Sequence, residues 1–232
     1  MSLTPKTPIP EGAIRYNTDS NKMELWNGQK WMQVAVSSPN LDGGGRGVFF
    51  GGAPSNNAAI DFITISTAGD AGDFGDMTSH RVQGSAGSSN TRGVYGNGEA
   101  PSITDRIEFI TFSSTGDATD FGDTTDARRR ANGMGLSNQT RALFNGGYSP
   151  GTVNTIDYIT IAQTGNAFNF GDLTVARESG ACCASPTRGI ISGGRNQPSN
   201  TALSSIDFVT IASTGDAQDY GDLSIQRFAM QA

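Results

Sequence analysis

The sequence predicts an all-β protein assembled from tandem repeats, and three observations carry that expectation. Four segments share one apolar strand motif at a near-constant spacing. Glycine reaches 31 of 232 residues, while charged residues make up only 16%. No stretch shows the apolar periodicity of an amphipathic helix. Short strands joined by glycine-rich turns satisfy all three, and self-similarity at a fixed period is the signature of a repeat architecture.

The motif first appears as Ile60-Asp61-Phe62-Ile63-Thr64-Ile65 and recurs from Ile107, Ile156 and Ile206, at intervals of 47, 49 and 50 residues. β-Branched and aromatic residues dominate it, as a pleated and packed strand requires. Its aromatics, Phe62, Phe109, Tyr158 and Phe208, are expected to be buried. Each copy runs on into a Gly-Asp turn (Gly-Asn in the third), where glycine supplies positive φ and the Asx side chain caps its own backbone. An aromatic-Gly-Asp step follows, ending at Asp76, Asp123, Asp172 and Asp222. Five residues later stands an arginine every time: Arg81, Arg128, Arg177 and Arg227. Upstream, a short strand opens with Arg46, Arg92, Arg141 or Arg188 and ends at a glycine pair, or at Gly96-Asn97-Gly98 in the second copy. A small-residue segment such as 133–138 follows each late arginine and suits a crowded innermost strand. Four strands per repeat is the economical count.

This order of features resembles the kelch repeat, whose units of about 50 residues form the blades of β-propellers. The resemblance runs from Arg46 to Ala232, with Phe or Tyr where the kelch pattern has Trp. It implies a four-bladed kelch-like β-propeller, and the residues ahead of the repeats read as a small three-stranded β-meander. Four blades is few for the family. Residues from Arg227 to Ala232 stand in register with the first strand of a repeat, so they are expected to complete the first blade and hide its edges. The competing strand for that place is Val34-Ala35-Val36.

The chain accordingly divides into a tail at 1–12, a meander at 13–36, a linker at 37–45 and the repeats at 46–232. Within the meander, Asn27-Gly28 between apolar strands is a strong hairpin signal. So small a sheet is marginal alone, and Tyr16, Trp26 and Trp31 are its expected attachment or oligomer-interface residues. The string from Gly12 to Trp31 resembles a module of bacteriophage tail fibres, and the wording of the repeats is similar to kelch-like repeats of marine phage proteins. Together these resemblances imply a virion structural protein without enzymatic activity, a tail-fibre or appendage component located in the particle. Its expected partners are other virion proteins, further copies of itself, and a host-surface glycan or protein. A capsid decoration or head appendage is the alternative. A polysaccharide-degrading enzyme and a cellular interaction scaffold rank lower. Loops at 53–57, 149–153 and 195–202 vary between copies while the strands do not, which separates contact surface from scaffold.

Other function classes find little support. A net charge of −6 opposes nonspecific binding to nucleic acid or anionic membranes. No segment approaches the roughly 20 apolar residues of a membrane helix, and the N-terminus has no apolar signal core. Cys182 and Cys183 are adjacent and are expected to be buried thiols rather than a disulfide. His80 is the only histidine, which leaves no material for a Ser/His/Asp relay or a Cys/His metal site, and no cofactor is expected. Asp117, Asp120 and Asp123 are weak calcium candidates, because calcium loops place ligands at alternate residues rather than every third. The pairs Asp76/Arg81, Asp123/Arg128, Asp172/Arg177 and Asp222/Arg227 are expected as structural ion pairs at the blade rims. The run Arg128-Arg129-Arg130 reads as a solvated loop.

Overall fold

The computed structural model describes residues 9–18, 22–34, 45–53, 57–99, 101–131, 133–197 and 199–230. The chain separates into two compact units, Met1–Asn40 and Leu41–Ala232.

In the first unit β1 (Ile14–Asn17), β2 (Lys22–Trp26) and β3 (Trp31–Gln33) form an antiparallel sheet in that order. The β2–β3 turn is made by its own side chain: Asn27 Oδ1 accepts the backbone N–H groups of Gln29 and Lys30 at 3.0 and 2.8 Å. Gly28 takes a φ of +88°, a conformation cheap only for glycine. Val34 lies just beyond β3, and its N–H bonds the carbonyl of Met23. Ala35 and Val36 lie outside the described residues.

The second unit is all-β, with no helix among its described residues. Sheet I contains β4 (Arg46–Phe50), β5 (Ala59–Thr64) and β6 (Gly72–Asp76). Sheet II contains β7 (Ser85–Ser88), β8 (Arg92–Gly96), β9 (Arg106–Thr111) and β10 (Thr119–Asp123). Sheet III contains β11 (Gly135–Ser137), β12 (Arg141–Asn145), β13 (Thr155–Thr160) and β14 (Phe168–Asp172). Sheet IV contains β15 (Ala181–Ala184) and β16 (Arg188–Ser192), then β19 (Ser205–Thr210) and β20 (Gln218–Asp222). Its long loop carries a separate hairpin, β17 (Arg195–Asn196) with β18 (Thr201–Ala202). Every pairing is antiparallel. The register slips by one residue within each aromatic-Gly-Asp strand, at the aromatic itself, for example between Asp120 and Gly122.

Consecutive sheets pack face to face through three apolar clusters. Ile60, Phe74 and Met77 of the first repeat meet Tyr95, Ile110 and Ala118 of the second. Val94, Ile107 and Phe121 meet Phe144, Ile159 and Ala167. Leu143, Ile156 and Phe170 meet Ile191, Val209 and Ala217. The small-residue segments form the edge strands β7, β11 and β15, where crowding is severe: a Cβ on Gly135 would lie 2.2 Å from the carbonyl oxygen of Ala86.

Two expectations change. The strand aromatics are half-buried rather than buried. A guanidinium caps each one from the preceding strand, Arg46 over Phe62 at 4.7 Å, Arg92 over Phe109 at 4.5 Å, and Arg141 and Arg188 over Tyr158 and Phe208 at 4.6 Å. The charged cap needs water, so it keeps the ring near solvent. The other change concerns closure. Sheet I has three strands, residues 227–230 form no strand, and no sheet closes on itself among the described residues. Gln231 and Ala232 lie outside the described residues.

Candidate functional site

The joints between sheets absorb most of the charged residues that the sequence singles out. At each joint the Asx of the Gly-Asx turn reaches back to the preceding sheet. Asp117 Oδ1 accepts the N–H of Asp76 at 3.0 Å, Asn166 Oδ1 that of Asp123 at 3.1 Å, and Asp216 Oδ1 that of Asp172 at 3.0 Å. Two backbone bonds accompany each, such as Gly165 N–H to Phe121 O at 2.7 Å and Ala167 N–H to Asp123 O at 2.8 Å. Asn serves as well as Asp here because only an acceptor oxygen is needed. Asp117 is thus engaged in packing, and among the described residues no group of three His, Cys, Asp or Glu side chains is arranged to hold a metal ion. Burial raises the pKa of Asp123 above the usual carboxylate range, and the nearby Asp105 and Asp120 raise it further.

The first three late arginines are buried, but Asp76, Asp123 and Asp172 are not their partners. Arg81 pairs with Glu108, Arg128 with Asp157, and Arg177 with Asp207 at 3.1 Å. Each acid is the second residue of the apolar strand in the next sheet, so these are inter-sheet pairs. Arg128 Nη1 also donates to the carbonyls of Gly146 and Thr155, at 3.3 and 3.0 Å. A hydroxyl completes the carboxylate's shell: Thr125 donates to Asp157 at 2.8 Å and Thr174 to Asp207 at 2.6 Å. Burial lowers the pKa of Arg128 and Arg177 and raises that of Asp157, and the attraction within each pair opposes it. Such a pair contributes little net stability against an apolar replacement, yet leaving one partner alone is costly, so it fixes geometry. Arg227 is exposed and forms no ion pair among the described residues.

The triple arginine run is not a solvated loop. Arg128 is buried with Asp157, Arg129 grips both oxygens of Glu99 at 2.6 and 2.7 Å, and Arg130 reaches Glu178 at 3.3 Å. Arg195 shares the same buried Glu178 carboxylate at 2.7 Å. The ring of Tyr148 lies 5.3 Å from the guanidinium of Arg129 and 5.2 Å from that of Arg130. The bond to Glu99 raises the pKa of Arg129 further. This network ties the loops that join the two central strands of sheets II, III and IV, which carry Glu99, Tyr148 and Arg195, to the connections between those sheets, which carry Arg129, Arg130 and Glu178. Of the loops expected to vary and make contacts, 149–153 and 195–202 lie here. Loop 149–153 touches 195–202 directly, Thr152 Oγ1 donating to the Gln197 carbonyl at 3.1 Å. Residues 54–56 of the remaining loop lie outside the described residues.

The edge strands β7, β11 and β15, with residues of β4, line a cavity of about 440 Å³. Cys182 and Cys183 lie on its wall, both free. Burial pushes the thiol of Cys182 far up in pKa, whereas Cys183 is exposed, contrary to the expectation of two buried thiols. Successive residues of a strand point to opposite faces, so the two adjacent cysteines differ in burial.

In the first unit, strand alternation sorts the side chains cleanly. Ile14, Tyr16, Met23, Leu25 and Met32 share one face by register, and all are exposed. Arg15, Glu24, Trp26, Trp31 and Gln33 share the other. The tryptophans pack on each other with centroids 5.4 Å apart, Arg15 lies 4.2 Å over Trp31, and Arg15 pairs with Glu24 at 2.8 Å. Hydrogen bonds from Asn17 and then Arg15 hold the Glu24 carboxyl below its usual pKa. Of the three expected attachment residues, only Tyr16 belongs to the apolar face.

No known protein family matches the sequence, and no curated protein matches it.

What this chain does has therefore to be argued from its own geometry. Sequence spacing misdirects attention at the joints because two acids recur in every copy: the Asp five residues before each arginine, and the acid inside the apolar strand. The second was the signal, since a carboxylate between an isoleucine and an aromatic in an apolar strand needs a buried partner. Glu99, Glu178 and Arg195 carry no such repeat signal, because only some copies possess them.

Proposed function

We propose that the chain is a non-catalytic structural component of a bacteriophage virion, a tail-fibre or appendage protein. It attaches through the apolar face of its meander and displays four kelch-like blades, open between the last and the first within one chain, towards the host surface. The observation that carries this reading is the separation of roles within the repeats. The repeated charged and polar residues are consumed by identical joints, which leaves the dissimilar loops of sheets II to IV as the surface that distinguishes one copy from another. Tyr148 between two arginines offers stacking and hydrogen-bond donors suited to a glycan or an acidic protein segment. The wholly apolar meander face has the composition of an anchoring patch. The resemblance of residues 12–31 to tail-fibre modules points the same way.

Gold-labelled antibody against the chain, applied to intact particles of its phage, tests the proposal. Label on the tail or its fibres is the expected result. Label spread over the head would make it a capsid decoration, and particles without label would overturn the virion reading.

A further inference from the structure

The three joints leave two unmatched faces, one on sheet IV and one on sheet I, and each retains the residues that the joint uses. On sheet IV, Tyr220 stands where Phe74, Phe121 and Phe170 stand elsewhere, yet it is 59% exposed against 2–3% for the others. Arg227 corresponds to the buried Arg81, Arg128 and Arg177, and Ser224 to the hydroxyls of Thr78, Thr125 and Thr174. Arg46, Arg92 and Arg141 each donate to a carbonyl of the following sheet, at 2.6, 3.1 and 2.8 Å. Arg188, the fourth of the series, is exposed, and among the described residues its hydrogen bonds stay within its own sheet, as in the turn at Ser185.

Sheet I is the complement. Asp61 occupies the place of the buried Glu108, Asp157 and Asp207 but is exposed. Phe49 is 55% exposed where Tyr95, Phe144 and Ile191 are 7%, 1% and 0%. Ile65, at the position of the fully buried Ile161 and Ile211, is 68% exposed. Asp70 and Ala71 hold the positions that receive and donate the turn hydrogen bonds at the other joints, and neither is bonded to Asp222. The backbone carries the same message. Two residues after each late arginine the chain takes a left-handed turn, at Gln83, Arg130, Ser179 and Ala229, with φ of 54–63°. The first three turns lead the chain onto the edge of the next sheet, and among the described residues sheet I is the one whose edge strand, β4, lacks that neighbour.

We propose that copies of this chain associate head to tail, the sheet IV face of one docking on the sheet I face of the next and forming a fourth joint of the same chemistry. In it, Arg227 of one copy pairs with Asp61 of the next, Ser224 donates to the same carboxylate, and Phe49 fills the place that Tyr95 fills at the first joint. The two surfaces differ and are complementary in charge, so the contact is heterologous and generates a ring or a filament rather than a two-fold dimer. The groups each open face lacks are those of the opposite end of the array, and a second copy supplies them where sheets I and IV of one chain are not joined.

Sedimentation velocity on the full-length chain over a concentration series tests this. The expected mass rises above the 24.2 kDa of one chain as concentration increases. Asp61→Arg or Arg227→Glu alone should weaken association by at least about tenfold. An equimolar mixture of the two variants should associate again, because reversed charges then face each other across the joint. Both positions are exposed, so unchanged circular dichroism serves as the folding control. A wild-type chain that stays at single-chain mass, or an assembly indifferent to both variants, would overturn the proposal.

Discussion

The joint between sheets II and III and the two end faces of the repeat array are built from matching residues and have opposite fates. At the joint, Phe121 is buried, Arg128 is buried with Asp157, and Gly165 bonds back to Phe121. At the ends, Tyr220, Arg227, Asp61 and Gly69 hold the corresponding positions in the open. The residue types are therefore specified by the joint, and their burial by whether a neighbouring sheet is present. One sequence motif yields a core residue or a surface residue according to its rank in the array, which is the nearest-neighbour behaviour of repeat proteins.

Paired substitutions sharpen that contrast. Urea unfolding should be followed by far-UV circular dichroism, because both tryptophans, Trp26 and Trp31, lie in the other unit. The largest difference is expected for arginine: Arg128→Ala strands the buried Asp157 and should cost about 3–5 kcal/mol. Arg227→Ala, measured at dilution, should stay within about 0.5 kcal/mol. Next comes glycine. Gly122 and Gly221 both have positive φ, at 141° and 139°, so an alanine is strained at either. Only at Gly122 would its Cβ also meet backbone, 2.5 Å from the carbonyl of Gly165, and Gly122→Ala should cost about 1–3 kcal/mol more than Gly221→Ala. The smallest difference concerns the turn acceptor: Asp117→Ala loses one hydrogen bond and about 0.5–1.5 kcal/mol, while Asp70→Ala should change nothing measurable. Equal costs within any pair would mean that the end faces are covered like the joint.

The strands were legible because β-branched runs, glycine punctuation and four copies gave the same answer at each position. The meander hairpin was legible for the same reason, through Asn27-Gly28. Partner choice was less legible. A linear offset such as Asp76 to Arg81 looks like a pair, but strand twist and stacking carry Arg81 across to Glu108, 27 residues on. Trp26 and Trp31 drew attention as large aromatics, yet pleat alternation puts them beside Arg15 and Glu24 and gives the exposed face to smaller apolar residues. The loop network of Glu99, Arg129, Glu178 and Arg195 depends on loops from three different repeats converging, which no spacing encodes.

Amide hydrogen exchange at single-residue resolution tests most directly the claim that three joints are made and the fourth is open within one chain. Gly116, Gly165 and Gly215 each donate an N–H across a joint, and Gly69 is their counterpart at the open end. At dilution, where the chain sediments as a monomer, the three should be strongly protected and Gly69 should exchange like a free amide. Protection of Gly69 equal to the others under those conditions would show that the array closes on itself, and would contradict the account.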